Sequence, residues 1–462
     1  MSIRLSILCL VLLSLIIFVG CPQSPAPKIP VQHQELGIPA EQEPVAEPGP
    51  QVPTLPQETP EEIAVRERVK QLGGTCRKNP VGKIIGIVIE NNELTVDDMW
   101  LIAKLIDLES IRITGPSVND KYVEAMSGLT RLKSVDIENS NITDKSLEIL
   151  KALPDIDTLS LRRNLGFTDH AVALFAEFPK LHTLKILYNG FSPTSLFGLK
   201  NLTAVRVLDL RGLQVGNDTL MFIAKLENLE EIHIRSGSVA NTGVAQLKKC
   251  KKLKILELQD TDVSAGCAEH FKEMESLRFL RIFRCPQFGA EAIAELGILT
   301  NLDTLELRDM NCNNESLQAL KPLVGLKTVE FSELKGVDAA TIIDVLKAYP
   351  KLENIRMFAM PVDDAVAGFL ATMVDLKSIG VPATRITDNG LDALTAIKDL
   401  TSLDIHGNKE RITLQGANVL GKFKNLRRLI LPESLDDPVL KSAILKSSPR
   451  CVITIKTYSQ EG

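Results

Sequence analysis

Aromatic side chains are scarce, 4% of the 462 residues, with a single tryptophan. Surfaces that stack sugars or bases need such platforms in number, so carbohydrate and single-stranded nucleic acid are poor candidates for a ligand. A basic excess is missing as well: Lys+Arg total 53 against 58 Asp+Glu, a net charge of −5. Without Arg4, Lys28 and the five glutamates between Pro22 and Pro60, the balance is 51 against 53. No basic stripe is left to face a phosphate backbone, and nucleic acid is not an expected partner. The apolar run from Leu5 to Val19 covers only fifteen residues, too short to cross a bilayer comfortably and suited to the core of a secretory signal.

The signatures of chemistry are missing too. His33, His170, His182, His233, His270 and His406 form no HExxH, and none has a second metal ligand at helical spacing. There is no GxSxG and no phosphate loop. Among eight cysteines no CxxC occurs, which argues against zinc. Cys250 and its fellows read as buried thiols, with a Cys285–Cys312 disulfide as the alternative in an exported chain. The paired acids Asp97-Asp98, Asp363-Asp364 and Asp436-Asp437 fall where helices should begin, and capping accounts for them. No enzyme, cofactor or metal is expected.

What the sequence does have is a period. In Leu132–Asp155, LKSVDIENSNITDKSLEILKALPD, Leu132, Val135 and Ile137 give the alternation of a short strand with one buried face. Thr143 then caps a helix whose stripe is Leu147, Leu150 and Leu153. One strand and one helix cannot bury both apolar faces alone. Further units open at Leu108, Ile156, Leu181, Val205, Leu229, Leu253, Leu277, Leu302, Leu326, Leu352, Leu376, Leu400 and Leu426. Cap-competent residues recur at position twelve (Asn119, Thr143, Ser192, Ser264, Asn313, Asp363, Thr387). Apolar anchors recur at position nineteen (Met126, Leu150, Leu199, Ile223, Leu247, Leu320, Leu394). The longer units, from Ile156, Leu277, Leu326, Leu400 and Leu426, should carry their extra residues in loops.

This pattern resembles the leucine-rich repeat family, in the form LxxLxLxxxxITDxxLxxLxxL, most fully at Asn141-Ile142-Thr143-Asp144 and Arg385-Ile386-Thr387-Asp388. Position nine varies (Ser140, Asn189, Leu213, Cys285, Met310), so an asparagine ladder is not expected. The resemblance implies an α/β fold, a right-handed horseshoe solenoid with a parallel sheet inside and helices outside. Phe18-Val19-Gly20-Cys21 resembles a bacterial lipobox, which implies a leucine-rich-repeat lipoprotein with Cys21 as its lipid anchor.

The resulting organisation has five parts. Residues 1–21 are a lipoprotein signal peptide, and 22–58 a proline-rich disordered tether. Residues 59–83 form a helical cap opened by Thr59-Pro60-Glu61-Glu62, 84–456 the solenoid, and 457–462 a tail. Trp100 is expected in the core. The protein is expected to be exported, monomeric and lipid-anchored to a bacterial cell-envelope membrane, with the face of that membrane left open.

In each strand, positions five and seven point away from the core. Column five mostly alternates in charge (Arg112, Asp136, Ser160, Lys185, Asp209, His233, Glu257, Arg281, Glu306), and lateral ion pairing explains it. Column seven includes Arg162, Arg211, Arg235, Phe283, Arg308 and Phe358, residue types that anchor interfaces when exposed; the alternative is that Phe283 and Phe358 pack on neighbours and the arginines pair with column five. Neither Arg211 nor Arg235 is expected to be needed by the core. The first functional reading is a membrane-tethered, non-enzymatic module that binds a protein or peptide on its concave face. The alternative is a structural cell-envelope lipoprotein acting as a spacer or scaffold.

Overall fold

The computed structural model describes residues 58–91, 93–408 and 411–456. The signal peptide, the lipobox with Cys21, nearly all of the tether and the tail lie outside these residues.

Each unit begins with the strand its alternation demands. In Ser134–Glu138, Val135 and Ile137 are fully buried while Ser134, Asp136 and Glu138 are half-exposed. The pattern repeats in Ser110–Thr114, Thr158–Arg162, Thr183–Leu187, Glu231–Arg235 and Phe279–Phe283. From Ile84–Ile89 to Val452–Lys456 every strand pairs in parallel with the next. Helices return the chain behind the sheet, and the whole is an open, right-handed solenoid with strands inside and helices outside. Thr75–Lys78, which the sequence did not reveal as a strand, adds one antiparallel strand at the N-terminal edge.

The register is kept when units lengthen. Ser134 pairs with Thr158, an offset of 24, and Thr158 with Thr183, an offset of 25, without a break inside either strand. Thr328 pairs with Asn354, an offset of 26; one of the two extra residues precedes the Asp338 cap and the other lengthens the Ala339–Leu346 helix. The unit from Leu426 carries no extra residue, because Arg428 pairs with Val452 at an offset of 24.

The Thr-Asp pair of the motif has a further role. Thr143 caps its own Asp144–Leu150 helix, accepting from the Lys145 backbone N–H. Its own N–H and hydroxyl donate to Asp120 of the preceding unit at 2.8 and 2.7 Å. The same link joins Ser192 to Asp169, Thr387 to Asp364 and Thr413 to Asp388. In these units the aspartate after one cap therefore holds the cap of the next, beyond complementing its own helix dipole. At the last of these links the chains approach so closely that a Cβ on Gly416 would lie 1.9 Å from Asp388 Cγ.

Position nine requires a correction. Asn164 donates to the Ile137 carbonyl at 2.9 Å and accepts from the Ser140 N–H and hydroxyl at 3.1 and 2.7 Å. Asn189 repeats this against Leu161 and Asn164, and Asn408 against Val381 and Thr384. A broken asparagine ladder does run up the solenoid. Elsewhere other residues do parts of the same work: Cys285 lies 3.1 Å from the Thr261 hydroxyl, and Met360 Sδ accepts from the Leu334 N–H. Cys285 and Cys312 are separate thiols, both buried, and the other described cysteines are free as well.

The N-terminal helix, Pro60–Gln71, forms with the expected capping box between Thr59 and Glu62 and buries Val65 and Val69. Trp100 does not join the core. The Val96–Ile102 helix buries Met99 and Ile102, and Trp100, about 100° round from Met99, is left 51% exposed.

The ladder generates a prediction. Asn164→Ala leaves the Ser140 N–H unpaired in a buried setting, at about 1–3 kcal/mol, and removes the side-chain donor from the Ile137 carbonyl. Urea unfolding should show a clear loss of stability, and Lys121→Ala, at an exposed position of the Asp120–Ala125 helix, should show little.

Candidate partner-binding face

Because the strands stay in register, the residues of one position form a column across the sheet. Glu138 lies opposite Arg162, Arg235 opposite Gln259, and Phe283 opposite Arg308. Arg211 and Phe358 follow just after shorter strands, Val207–Asp209 and Asn354–Arg356.

The column-seven arginines are engaged by carboxylates. Arg162 lies 3.3 Å from Glu138. Arg211 donates to Asp209 at 3.0 and 2.7 Å and reaches Glu257 at 3.4 Å. Arg235 donates to Asp260 at 2.5 Å and to the Tyr188 hydroxyl at 2.6 Å. Arg308 donates to Glu333 at 2.7 Å and lies over the rings of Phe283, at 5.0 Å, and Phe358, at 5.4 Å. Two expectations change. Phe358 is only 4% exposed, so it supports Arg308 and offers a partner little surface. Asp209 is 2% exposed, so Arg211 neutralises a buried carboxylate and is needed for stability.

Reading only positions five and seven missed position eight. There the chain turns at positive φ: Arg163 at 52°, Tyr188 at 53°, Asp260 at 49°, Arg284 at 50°, Glu333 at 54°. After strands such as Thr158–Arg162, Thr183–Leu187 and Phe279–Phe283 this left-handed turn ends the strand, while in Thr328–Lys335 it falls inside the strand; it brings the side chain beside column seven. Asp260 accepts from Arg235 at 2.5 Å and twice from Arg284, at 2.7 and 2.9 Å, and Arg284 stacks on Phe283 at 4.5 Å.

Arg211, Phe283 and Arg308 share a shallow depression of about 370 Å³ with Glu257, Arg281, Glu306, Glu330 and Arg356. Its charges shift one another's protonation. Burial alone would lower the pKa of His233, but hydrogen bonds to Glu231 (2.6 Å) and Glu257 (2.8 Å) outweigh it and push it up to about 9. Burial would raise Glu257, yet His233, Arg281 and Arg211 bring it down to about 2. Burial pushes Glu306 up to about 7; Arg281 pulls it down, while Glu330 and Glu257 add to the rise. Glu257, which lines the depression, is thus paired with His233 beside it, while Glu306 within it titrates near neutrality.

Residues 168–447 match the family model described as a leucine-rich repeat region, which is more than half of the chain. The chain belongs to the leucine-rich repeat family. Two curated relatives come from Arabidopsis thaliana. A probable disease resistance protein is 27% identical over 72% of this chain, and tubulin-folding cofactor E is 22% identical over 59% of it. The matched parts make up 26% and 49% of those two proteins, so the chain spans well under two thirds of either. The yeast Rad7–Elc1 complex contains a chain with the same fold, at a TM-score of 0.50 and 13% identity, covering 65% of this chain and 88% of that one. An internalin of Listeria monocytogenes aligns at a TM-score of 0.40 and 15% identity over 85% of this chain and 93% of its own. Leucine-rich repeat solenoids present extended concave surfaces for binding, and the geometry above describes that surface in this member.

The pKa values generate a pH prediction with a definite sign. Glu306 is raised from 4.5 to about 7, so its contribution to stability is full below 4.5 and is lost as pH rises through about 7. His233 is raised from 6.5 to about 9, so its contribution is full below 6.5 and is lost towards pH 9. Stability in urea should therefore fall between about pH 5 and about pH 8. Glu306→Gln should flatten that fall, and an unchanged slope would refute the assignment.

Proposed function

We propose that this protein is a non-enzymatic interaction module that takes a protein or peptide partner on its concave sheet. We further propose that it acts as a monomer, exported and held to a bacterial cell-envelope membrane by lipid on Cys21. The observation that carries the first part is the aligned set Arg162, Arg211, Arg235, Phe283 and Arg308. It combines half-exposed guanidinium groups with an aromatic ring on one face, the composition of an interface centre. A partner fitting it presents acidic and apolar groups together. The second part rests on the Phe18–Cys21 sequence and the apolar run before it. Among the described residues no helix is long and apolar enough to cross a membrane. The spacer or scaffold reading draws on one observation, the close pairing of the concave charges with each other.

Two experiments test these readings. Arg308→Ala with Phe283→Ala removes a surface pair and a half-buried ring, and should weaken capture of a partner from envelope fractions by about 2 kcal/mol or more. Unchanged capture with a fold that is intact by circular dichroism favours the scaffold. Separately, the wild type should partition with membranes while Cys21→Ala is soluble or unprocessed; a wild type wholly soluble after export defeats the lipid anchor.

A further inference from the structure

The arginines are not spread evenly over the concave face; several gather round Tyr188. The ring is fixed by its place in the chain, at φ 53° immediately after the Thr183–Leu187 strand. It packs so tightly on Gly212 that a Cβ there would come within 2.1 Å of the ring. Three guanidinium groups close on it, with Arg163 at 5.6 Å, Arg162 at 5.7 Å and Arg235 at 5.9 Å from its centroid. Arg162 and Arg235 start from strands three spacings apart, about 14 Å, yet both reach one ring. Arg284 joins through Asp260, which it shares with Arg235, and Arg211 lies alongside on Asp209.

The charges of this group do not balance. Five arginines face four carboxylates: Glu138, Asp209, Asp260 and, through Arg211, Glu257. Glu138 is also drawn on by Arg112, and Glu257, next to Arg211, is engaged by His233 and Arg281. Among the described residues Arg163 is exposed and pairs with no carboxylate. Like charges gathered over one ring repel, and an anion relieves that repulsion.

We propose that this cluster receives an acidic segment of the protein partner, an extended stretch whose Asp and Glu side chains alternate with small ones. The proposal rests on the reading of the concave face as a partner surface and assigns the part of that face at which acidic groups dock. Guanidinium forks match carboxylates in pairs, and the tyrosine ring between them gives the intervening side chains an apolar seat. From Arg162 at the end of Thr158–Arg162 to Arg284 just after Phe279–Phe283 the arginines start from strands five spacings apart, about 24 Å, which suits several single charges along an extended stretch better than one multiply charged group.

The test is fluorescence anisotropy with the full chain in mild detergent at low salt, using a short labelled peptide of alternating glutamate and alanine. Saturable binding is expected, with none for the matching glutamine–alanine peptide. Arg163→Gln should weaken it about two- to fivefold while the urea midpoint stays or rises, since Arg163 has no ion pair to lose. The Arg162→Gln, Arg163→Gln, Arg284→Gln triple variant should abolish it, and Arg308→Gln should leave it unchanged. The proposal is overturned if the wild type does not bind the peptide, or if the triple variant binds as well as wild type. It is also overturned if inorganic phosphate or anionic vesicles, and not the peptide, depend on these arginines. Any of these results leaves partner capture through Phe283 and Arg308 to stand or fall by its own experiment.

Discussion

The hydrogen bonds from a helix cap to a side-chain oxygen of the unit before it, laid over the parallel strand ladder, fix where the linked units sit on their neighbours. That oxygen is a carboxylate at Asp120, Asp169, Asp364 and Asp388 and an amide at Asn217, Asn241 and Asn314. A five-residue strand and a seven-residue helix bury too little to persist alone, and the cost of ordering the chain is met only when a second unit covers the first. The cap link acts at the helix side and the Asn164-type ladder at the strand end. Between these two rails the apolar stripe has one register available. A slip of one residue would expose Val135 and Ile137 and bury Asp136.

That constraint organises the concave face. A fixed register stacks like positions about 4.8 Å apart, so a charge at position five or seven always has neighbours within reach. Alternating signs turn this into a lattice of ion pairs, as with His233, Glu257 and Arg281 across three successive strands. Exposed pairs of this kind contribute little to stability, whereas Asp209 and Glu257 are buried and depend on their partners. The same face therefore contains charges that the fold requires and charges that it does not. Arg163 and Arg308 belong to the second kind, the kind a partner can use without unfolding the solenoid.

The period, the caps and the buried columns were legible because each rests on a residue type recurring at one spacing: Leu150 at position nineteen, Thr143 at twelve. Position eight was not legible. What recurs there is a backbone turn, and side chains as unlike as Tyr188, Arg163 and Asp260 adopt it, so no residue type marks it. Position nine misled for a related reason. Asn164, Thr261 and Met360 differ in chemistry while each meets a backbone or side-chain polar group of an adjacent unit. Trp100 and Phe358 failed in opposite directions, since one residue of rotation exposes a helix side chain and a short strand lets the next aromatic turn inward.

The unit carrying Tyr188 is also the least regular. It is backed by the 3₁₀ helix Ser195–Asn201 with no α-helical turn, and the following strand, Val207–Asp209, has three residues. The poorer hydrogen bonds of a 3₁₀ helix and a short ladder weaken the coupling between neighbours, which is the term that holds a solenoid together. The core compensates with aromatics: Phe167 stacks on Phe191 at 6.2 Å, and Phe175 meets Phe191 edge-on at 6.3 Å. On the concave side, Arg235 reaches back from the Glu231–Arg235 strand to the Tyr188 hydroxyl and ties the units on either side of the short strand to each other. The arginines thus span one of the places where the strand ladder is shortest, and a ligand that neutralises them adds contacts across that same joint. Binding and local stability are linked there by mass action, because anything held only by the assembled units favours their assembly.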